Sequence, residues 1–309
     1  MNLFKFYKKF LVLILSYCSL NILQAIAYPV FARQYFASPR EVSGRIACSY
    51  CHLGRKPIDV ELPQSVFPNT VFEAVIKVPY QKELKQLNSQ GNKVGLNIGA
   101  IVILPDGFSL APTDRISDSL KTKINKLSFL PYNNSNKSTF MAGPVSGDKY
   151  DELVFPILSP STENNASYLK YPIYVGGNRG RGQIYPGGEK SNNNVFTSSV
   201  DGIITDIITK ENGSFDIIIE GKDGKSIKET VGIGSDIIVK VGQTVSSEQP
   251  LTTNPNVGGF GQLELEIVLQ NPLRVQGLLA FFFFVLLTQL LLVLKKKQFE
   301  KVQLSEMNF

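Results

Sequence analysis

The sequence is poor in the side chains that most often bind metal ions. In 309 residues it has one histidine, three cysteines and three methionines. A structural zinc site needs about four Cys or His ligands. Once the N-terminal 27 residues are set aside, only Cys48, Cys51 and His52 remain. This count argues against a structural zinc site.

Excess charge of one sign is also scarce in most of the chain. The whole sequence has a net charge of +6 and a pI of about 9.0. Three lysines precede residue 28 and four follow residue 294, which leaves 25 basic and 24 acidic residues between them. A region that is nearly neutral argues against nucleic-acid binding, so no nucleic-acid partner is expected.

The first 27 residues are typical of a signal peptide that is cleaved. Three lysines precede the apolar run 10–20, and Ala25-Ile26-Ala27 supplies small residues at a cleavage site. The run is shorter than the roughly 20 residues that span a bilayer, which disfavours an uncleaved membrane helix. We expect the mature chain to begin at Tyr28.

One long apolar run lies near the other end. Residues 275–294 carry no charge and are rich in Leu, Phe and Val, as in a transmembrane helix embedded in membrane lipid. Lysines 295–297 follow directly. Because basic clusters stay on the side of synthesis, we expect the tail 295–309 inside and the bulk of the chain across the membrane.

Most of the exported part has a β pattern, which predicts an antiparallel sandwich or barrel. One exception is 115–127, where apolar residues share one face of a short helix that Thr113 or Asp114 would cap. Elsewhere short β-branched or aromatic runs alternate with Gly, Pro, Asn and Asp. These runs are 71–78, 100–104, 168–175, 203–209, 215–220, 236–241 and 263–268.

Two polar stretches bracket a separate β-rich insert. Residues 191–194 are polar, and 254–261 are rich in Gly, Pro and Asn. The insert between them, about 197–255, contains a hairpin-turn pattern at 222–225. We therefore expect a small second unit there.

The motif C-x-x-C-H at residues 48–52 carries the chemistry. Two thiols at this spacing can each bond to one vinyl group of a haem, and the adjacent His52 can reach the iron. A thioredoxin-like redox pair would need a β-α-β setting, which the pattern lacks. A plain disulfide between Cys48 and Cys51 would close too small a loop to stabilise much.

The residues alone leave the second axial ligand of the iron open. No second histidine exists, so the candidates are Met141, a lysine, the free amine of Tyr28, or none. Met141 is equally well explained as a packing residue. An open position would be typical of a haem enzyme or gas sensor, whereas two strong ligands are typical of an electron carrier. A structural subunit with an incidental haem is a third class.

Five segments together resemble cytochrome f, and the resemblance covers essentially the whole chain. They are 28–32 (YPVFA), 44–53 (GRIACSYCHL), 170–186 (KYPIYVGGNRGRGQIYP), 254–262 (NPNVGGFGQ) and 295–301 (KKKQFEK).

The resemblance implies one covalently bound c-type haem with Cys48 and Cys51 as attachment sites. His52 and the α-amino group of Tyr28 would be the axial ligands of the iron. An α-amino group has a lower pKa than a lysine, so it binds a metal more readily. Met141 would then be a packing residue, and Phe31 would pack against the haem.

The resemblance also implies a mainly β fold. It has an elongated immunoglobulin-like sandwich as the large domain (28–196 and 256–274) and an inserted small β domain (197–255). A transmembrane helix (275–294) and a stromal or cytoplasmic tail (295–309) follow. Residues 239–245 and 249–251 resemble the hairpins of biotinyl and lipoyl carriers, without the carrier lysine.

Two further sets of residues follow from the resemblance. Asn178, Gln183 and Asn193 match side chains that line a chain of ordered waters leading from the haem. A basic docking ridge is implied at Lys82, Lys85, Lys93 and Lys210, although Asn92 stands where green-lineage members have a second adjacent lysine.

The implied function is photosynthetic electron transport at the thylakoid membrane, with the large domain in the lumen. The haem would take single electrons from a Rieske iron-sulfur protein of the cytochrome b6f complex. It would pass them to plastocyanin or a soluble c-type cytochrome. The chain would thus be an electron-transfer subunit of a plastoquinol–plastocyanin reductase rather than an enzyme by itself.

Overall fold

In the computed structural model, the described residues are 28–133, 138–161 and 169–307. The proposed signal peptide, 1–27, and the side chain of Phe31 lie outside this description. The described chain is mainly β, as the sequence predicts. Its strands are β1 (Asp59–Glu61), β2 (Ser65–Val66), β3 (Val71–Lys77), β4 (Gln86–Leu87), β5 (Lys93–Val94), β6 (Asn97–Ile103), β7 (Ser109–Leu110), β8 (Phe129–Pro131), β9 (Thr139–Ser146), β10 (Glu152–Leu158), β11 (Lys170–Arg179), β12 (Gly202–Thr209), β13 (Phe215–Gly221), β14 (Ser226–Val231), β15 (Thr244–Val245) and β16 (Gly259–Leu269).

Two sheets pack together around the main core. One has four strands in the order β1-β3-β10-β7, and the other has six in the order β2-β16-β11-β6-β9-β8. Their pairs are antiparallel except β2 with β16. Alternate residues of β3, such as Phe72, Ala74 and Ile76, join the same buried cluster as Ile98 and Ile173 of the larger sheet. This packing makes a sandwich.

The six-stranded sheet also uses its other face. Ile101, Met141 and Phe260 point away from the sandwich core and form a second buried cluster with Ile46 and Tyr132. Since successive side chains of a strand point to opposite faces, the same strands line both clusters. A cavity lies at this second face.

A separate four-stranded sheet lies in the predicted insert, with the order β14-β13-β12-β15. It has its own apolar cluster, which includes Ile204, Ile217, Ile219 and Val231. The predicted hairpin turn at 222–225 joins β13 to β14. The predicted strand at 236–241 is wrong, because only an isolated bridge pairs Ile237 with Thr252 there.

The described helices are α1 (Tyr28–Tyr35), α2 (Asp118–Ile124) and α3 (Pro272–Glu306), with 3₁₀ turns at Ala47–Tyr50 and Thr113–Arg115. The predicted position of α2, within residues 115–127, is confirmed, but the predicted capping residue, Thr113 or Asp114, is wrong. Ser117 caps the helix by accepting a hydrogen bond from the Leu120 amide at 3.3 Å. The residues before it form the 3₁₀ turn instead.

The C-terminal helix α3 is long and apolar enough to cross a membrane, and within the described ranges no other helix is. It has 35 residues and begins after Asn271, whose side chain accepts hydrogen bonds from the amides of Leu273 and Arg274. The helix continues past the predicted span 275–294 through the lysines to Glu306. No side chain of α3 is buried against the other described residues.

Candidate functional site

A cavity of about 390 Å³ lies on the second face of the six-stranded sheet. Its floor comes from β6, β9 and β11, and its walls come from the end of α1, the 3₁₀ turn Ala47–Tyr50 and the loop that follows β11. Cys48, Cys51 and His52 all line this cavity. The two cysteines and the histidine of the predicted haem motif therefore border one cavity.

The local backbone brings the three motif residues together. The 3₁₀ turn includes Cys48, and the amides of Cys51 and His52 both donate to the Cys48 carbonyl, at 3.3 and 3.0 Å. The thiols are not bonded to each other. Burial raises the pKa of Cys48 to about 12 and also raises the pKa of Cys51. A reactive dithiol needs a lowered thiol pKa, so this setting disfavours thioredoxin-like chemistry.

His52 has the form of a metal ligand. Burial lowers its pKa to about 4, so the imidazole is neutral near pH 7. Its Nε2 lies 3.4 Å from the Asn178 Nδ2, and its Nδ1 is buried with no hydrogen-bond partner among the described residues. A neutral imidazole keeps one ring nitrogen with a free lone pair, and that nitrogen is able to bind iron.

The three predicted water-chain residues lie in or behind the cavity wall. Asn178 lines the cavity. Gln183 is buried behind it, where its Oε1 accepts from the Leu53 amide at 2.8 Å and its Nε2 donates to the Arg181 carbonyl at 2.8 Å. Asn193 donates to the same carbonyl at 3.0 Å, and its Oδ1 has no described partner.

Gln183 also holds the haem motif directly. Its backbone amide donates to the Cys51 carbonyl at 2.7 Å, while its side chain holds the residue after His52. Gln183 thereby attaches the loop after β11 to the backbone at Cys51 and at Leu53, on either side of His52. This structural role was not predicted from the sequence, because it joins segments that are far apart in the chain.

Two further residues that sequence reasoning missed attach neighbouring segments to the site. The Tyr132 hydroxyl donates to the carbonyls of Ala32 and Phe36, at 3.1 and 2.8 Å, and so holds the end of α1 against the second cluster. Gln262 accepts from the Ile46 amide at 3.0 Å and donates to Gly44 at 2.8 Å. Neither has a sequence signature.

The alternative ligand Met141 lies in β9, where it lines the cavity and packs in the second cluster. Tyr28 is the first residue of α1. The sequence did not predict this helix.

The four predicted docking lysines differ in their pairing. Lys82 pairs with Asp151 at 2.6 Å, and Lys210 pairs with Asp216 at 2.8 Å. Lys85 and Lys93 are exposed, and neither has an acidic partner within 4 Å among the described residues. Half of the predicted ridge is therefore neutralised by neighbouring carboxylates.

The donor set and the cavity suit a haem. Small residues keep the floor and wall open: a Cβ at Gly176 would lie 2.4 Å from the Phe260 ring, and one at Gly182 would lie 3.3 Å from the Cys51 Cβ. The volume is within the usual range for ligand sites, about 300 to 1,000 Å³. Two thiols and a neutral imidazole on its wall are the groups that c-type haem uses.

Comparisons with known proteins agree with this reading. The family model described as "Apocytochrome F, N-terminal" matches residues 28–180, and "Apocytochrome F, C-terminal" matches 192–309. Cytochrome f of Bigelowiella natans is 66% identical over 92% of this chain and 91% of its own length. Cytochrome f of Chlorella vulgaris is 57% identical, again over 92% and 91%. Cytochrome f of Lotus japonicus is 52% identical over 96% and 94%. A cytochrome is a protein that binds haem, and haem is the cofactor that suits the cavity. The chain therefore belongs to the cytochrome f family.

Proposed function

We propose that this chain is the haem-bearing electron-transfer subunit of a cytochrome b6f complex. Cys48 and Cys51 would hold one haem through thioether bonds, and His52 and the α-amino group of Tyr28 would bind its iron. The single observation that carries the proposal is that both thiols and a neutral imidazole line one cavity. The haem supplies one-electron chemistry when bound.

The protein's own residues hold this arrangement. Gln183 holds the backbone on both sides of His52, which limits the positions that the imidazole can take. Asn178 lies beside the imidazole Nε2. Phe31 would pack against the haem, and the apolar floor at Ile101, Met141 and Phe260 would exclude water from it.

The helix that begins at Tyr28 supports the proposed role of this residue, because the later part of that helix borders the cavity at Ala32. Tyr28 begins α1, and the end of that helix is fastened beside the cavity by the Tyr132 hydroxyl. The nitrogen of Tyr28 becomes a free amine only when residues 1–27 are removed. In a peptide bond the same nitrogen has no available lone pair, so ligation requires processing.

The proposed partners are a Rieske iron-sulfur protein as electron donor and plastocyanin or a soluble c-type cytochrome as acceptor. Lys85 and Lys93 steer an acidic acceptor, and Lys82 and Lys210 contribute less because they are paired. Asn178, Gln183 and Asn193 line a water chain from the haem. The unpartnered Oδ1 of Asn193 supports this, since buried oxygens of this kind commonly bind water.

The proposed topology has the large domain, 28–196 with 256–274, and the small domain, 197–255, in the thylakoid lumen. The tail 295–309 lies in the stroma, or in the cytoplasm of a cyanobacterium. The separate apolar cluster of the small sheet supports the domain division. The lysines that follow the apolar part of α3 support the orientation.

The test of the iron ligands is to prevent cleavage at residue 27. Ala27→Leu removes a small residue that the signal peptidase needs, so Tyr28 keeps its peptide bond. We expect covalent haem by mass spectrometry but loss of the six-coordinate low-spin spectrum, with carbon monoxide binding after reduction. Wild type should resist carbon monoxide.

Ile26→Val is the matched control, because this position does not determine cleavage and the mature chain should be unchanged. N-terminal sequencing identifies the product in each case. An uncleaved Ala27→Leu chain with an unaltered low-spin spectrum would eliminate Tyr28 as a ligand. A wild-type chain that carries no bonded haem would eliminate the function itself.

A further inference from the structure

A buried arginine lies directly behind the haem cavity. Arg179, the last residue of β11, is only 2% exposed. Its guanidinium donates to the Pro79 carbonyl at 2.5 Å and to the Pro57 carbonyl. Its Nε is buried with no acceptor, and no carboxylate lies within 4 Å of the guanidinium, within the described ranges. The charge is therefore hydrogen-bonded but not neutralised.

The alternation of β11 places this charge on the opposite face from the cavity. Asn178 and Gly176 face the cavity, where a Cβ on Gly176 would meet Phe260. Gly177 faces the other way, where its Cβ would meet Ile58 at 2.9 Å and Val78 at 3.1 Å. Arg179 follows Gly177 by two residues and reaches the carbonyls beside these same two residues. One layer of backbone separates its guanidinium from the cavity floor.

Burying an unpaired positive charge lowers the stability of the fold. Burial lowers the pKa of the Arg179 guanidinium, but arginine stays protonated in proteins. An isolated buried cation is unfavourable unless it is paired, and two carbonyls could equally accept hydrogen bonds from a neutral amide. Packing alone therefore gives no reason for a positive charge here.

We propose that Arg179 raises the reduction potential of the haem bound in the cavity. The inference rests on the proposed function, in which a haem attached to Cys48 and Cys51 gains and loses one electron. An added electron makes the haem more negative, and a fixed positive charge on the other side of the sheet stabilises that form. Solvent does not screen the interaction as it does for surface lysines.

Three variants of the full-length, matured chain in detergent test this role by redox titration. Arg179→Gln and Arg179→Met remove the charge, and the Met side chain also fills the space with apolar atoms. We expect the equilibrium constant for reduction by a reference couple to fall about tenfold, which is 59 mV for one electron. Lys93→Gln, which removes an exposed charge, should change it less than about twofold because water and salt screen that site.

Arg179→Lys keeps the proposal testable if the neutral variants do not fold. A buried lysine loses its proton at a lower pH than an exposed one, so this variant provides both charge states in one protein. We expect a potential near that of wild type at low pH and a fall as the pH rises, beyond any change in wild type.

The outcomes are distinguishable from those of the proposed function. If no variant and no wild-type chain carries covalent haem, the proposed function fails. If haem is attached with unaltered low-spin spectra, but the potentials of the neutral variants match wild type within twofold in equilibrium constant, the role of Arg179 is refuted. A flat pH response in Arg179→Lys refutes it independently.

Discussion

The six-stranded sheet and the small four-stranded sheet use their second faces differently. Each buries one apolar face, which includes Ile98 and Ile173 in the first and Ile217 in the second. The second face of the six-stranded sheet is lined by small and apolar residues that leave a cavity. The second face of the small sheet carries Asp216, which two lysines and Thr230 surround.

The difference shows how one strand pattern serves unlike purposes. Side chains alternate between faces in both sheets, so stability and the second role are set by separate residues. Where the second face is covered by other segments and its residues are small, space for a cofactor remains. Where it faces solvent, charges pair with each other. Changes on the two faces should therefore have separable effects.

The largest effect should come from the core face of the six-stranded sheet. Ile173→Ala should lower the free energy of unfolding by about 2 to 5 kcal/mol, because the side chain is fully buried among packed neighbours. Ile101→Ala, on the cavity face, should cost less in the haem-free chain because it already borders open space. Denaturant unfolding of the full chain in detergent measures both.

Ile203→Ala is the control for this pair, because Ile203 is half exposed on the small sheet and should change stability by less than about 0.5 kcal/mol. Equal losses for the two buried isoleucines would show that the faces do not differ in packing. That result would break the comparison.

An intermediate effect should separate two adjacent glycines. Gly177→Ala presses on Ile58 and Val78 in the core and should cost about 1 to 3 kcal/mol with an unaltered haem spectrum. Gly176→Ala presses on Phe260, which lines the cavity, so it should reduce haem incorporation or shift the visible spectrum. The ratio of haem to protein is measured beside stability. Identical outcomes for the pair would contradict the assignment of faces.

The smallest effect should be the acid sensitivity of the small sheet. Lys210, Thr230 and Lys228 lower the pKa of Asp216. A carboxyl whose pKa is lower in the folded state stabilises the fold above its unfolded pKa, about 4, and this contribution is lost as the pH falls through the folded pKa. Asp216→Asn should therefore flatten the acid limb of stability against pH.

A double-mutant cycle identifies the partner of Asp216. Lys210→Gln should cost stability near pH 7 in the wild-type background and less in the Asp216→Asn background. Lys240 is an exposed lysine on the same unit, and Lys240→Gln should change the free energy of unfolding equally in both backgrounds. If the acid limb stays unchanged in Asp216→Asn, the second face of the small sheet is not stabilised by this charge cluster.

Much of the fold and the site could be predicted from local patterns. The motif at 48–52, the apolar helix after residue 271 and most strands depend on residues that are close in sequence, so the sequence carries them directly. The predicted resemblance to cytochrome f is confirmed, and so is the mainly β fold. The strand 71–78 was predicted nearly to its observed bounds, Val71–Lys77.

The rest depends on contacts between distant segments. Strand β9 contains a Gly-Pro pair, which reads as a turn, yet it is held between β6 and β8. The run 236–241 has a strand composition but finds no strand partner in the described chain. The pairing of Lys82 depends on Asp151, which no local pattern of charge reveals.

The short junction between β16 and α3 limits how the protein moves. Only Gln270 and Asn271 separate the last strand from the helix, and Asn271 is itself fixed by its capping hydrogen bonds. A helix of 35 residues is about 52 Å long, well beyond the roughly 30 Å of a bilayer interior. Because the linker is so short, the sandwich has little freedom to move relative to the C-terminal helix. In the proposed function, the soluble acceptor therefore has to travel to the haem, because the haem-bearing domain itself moves little.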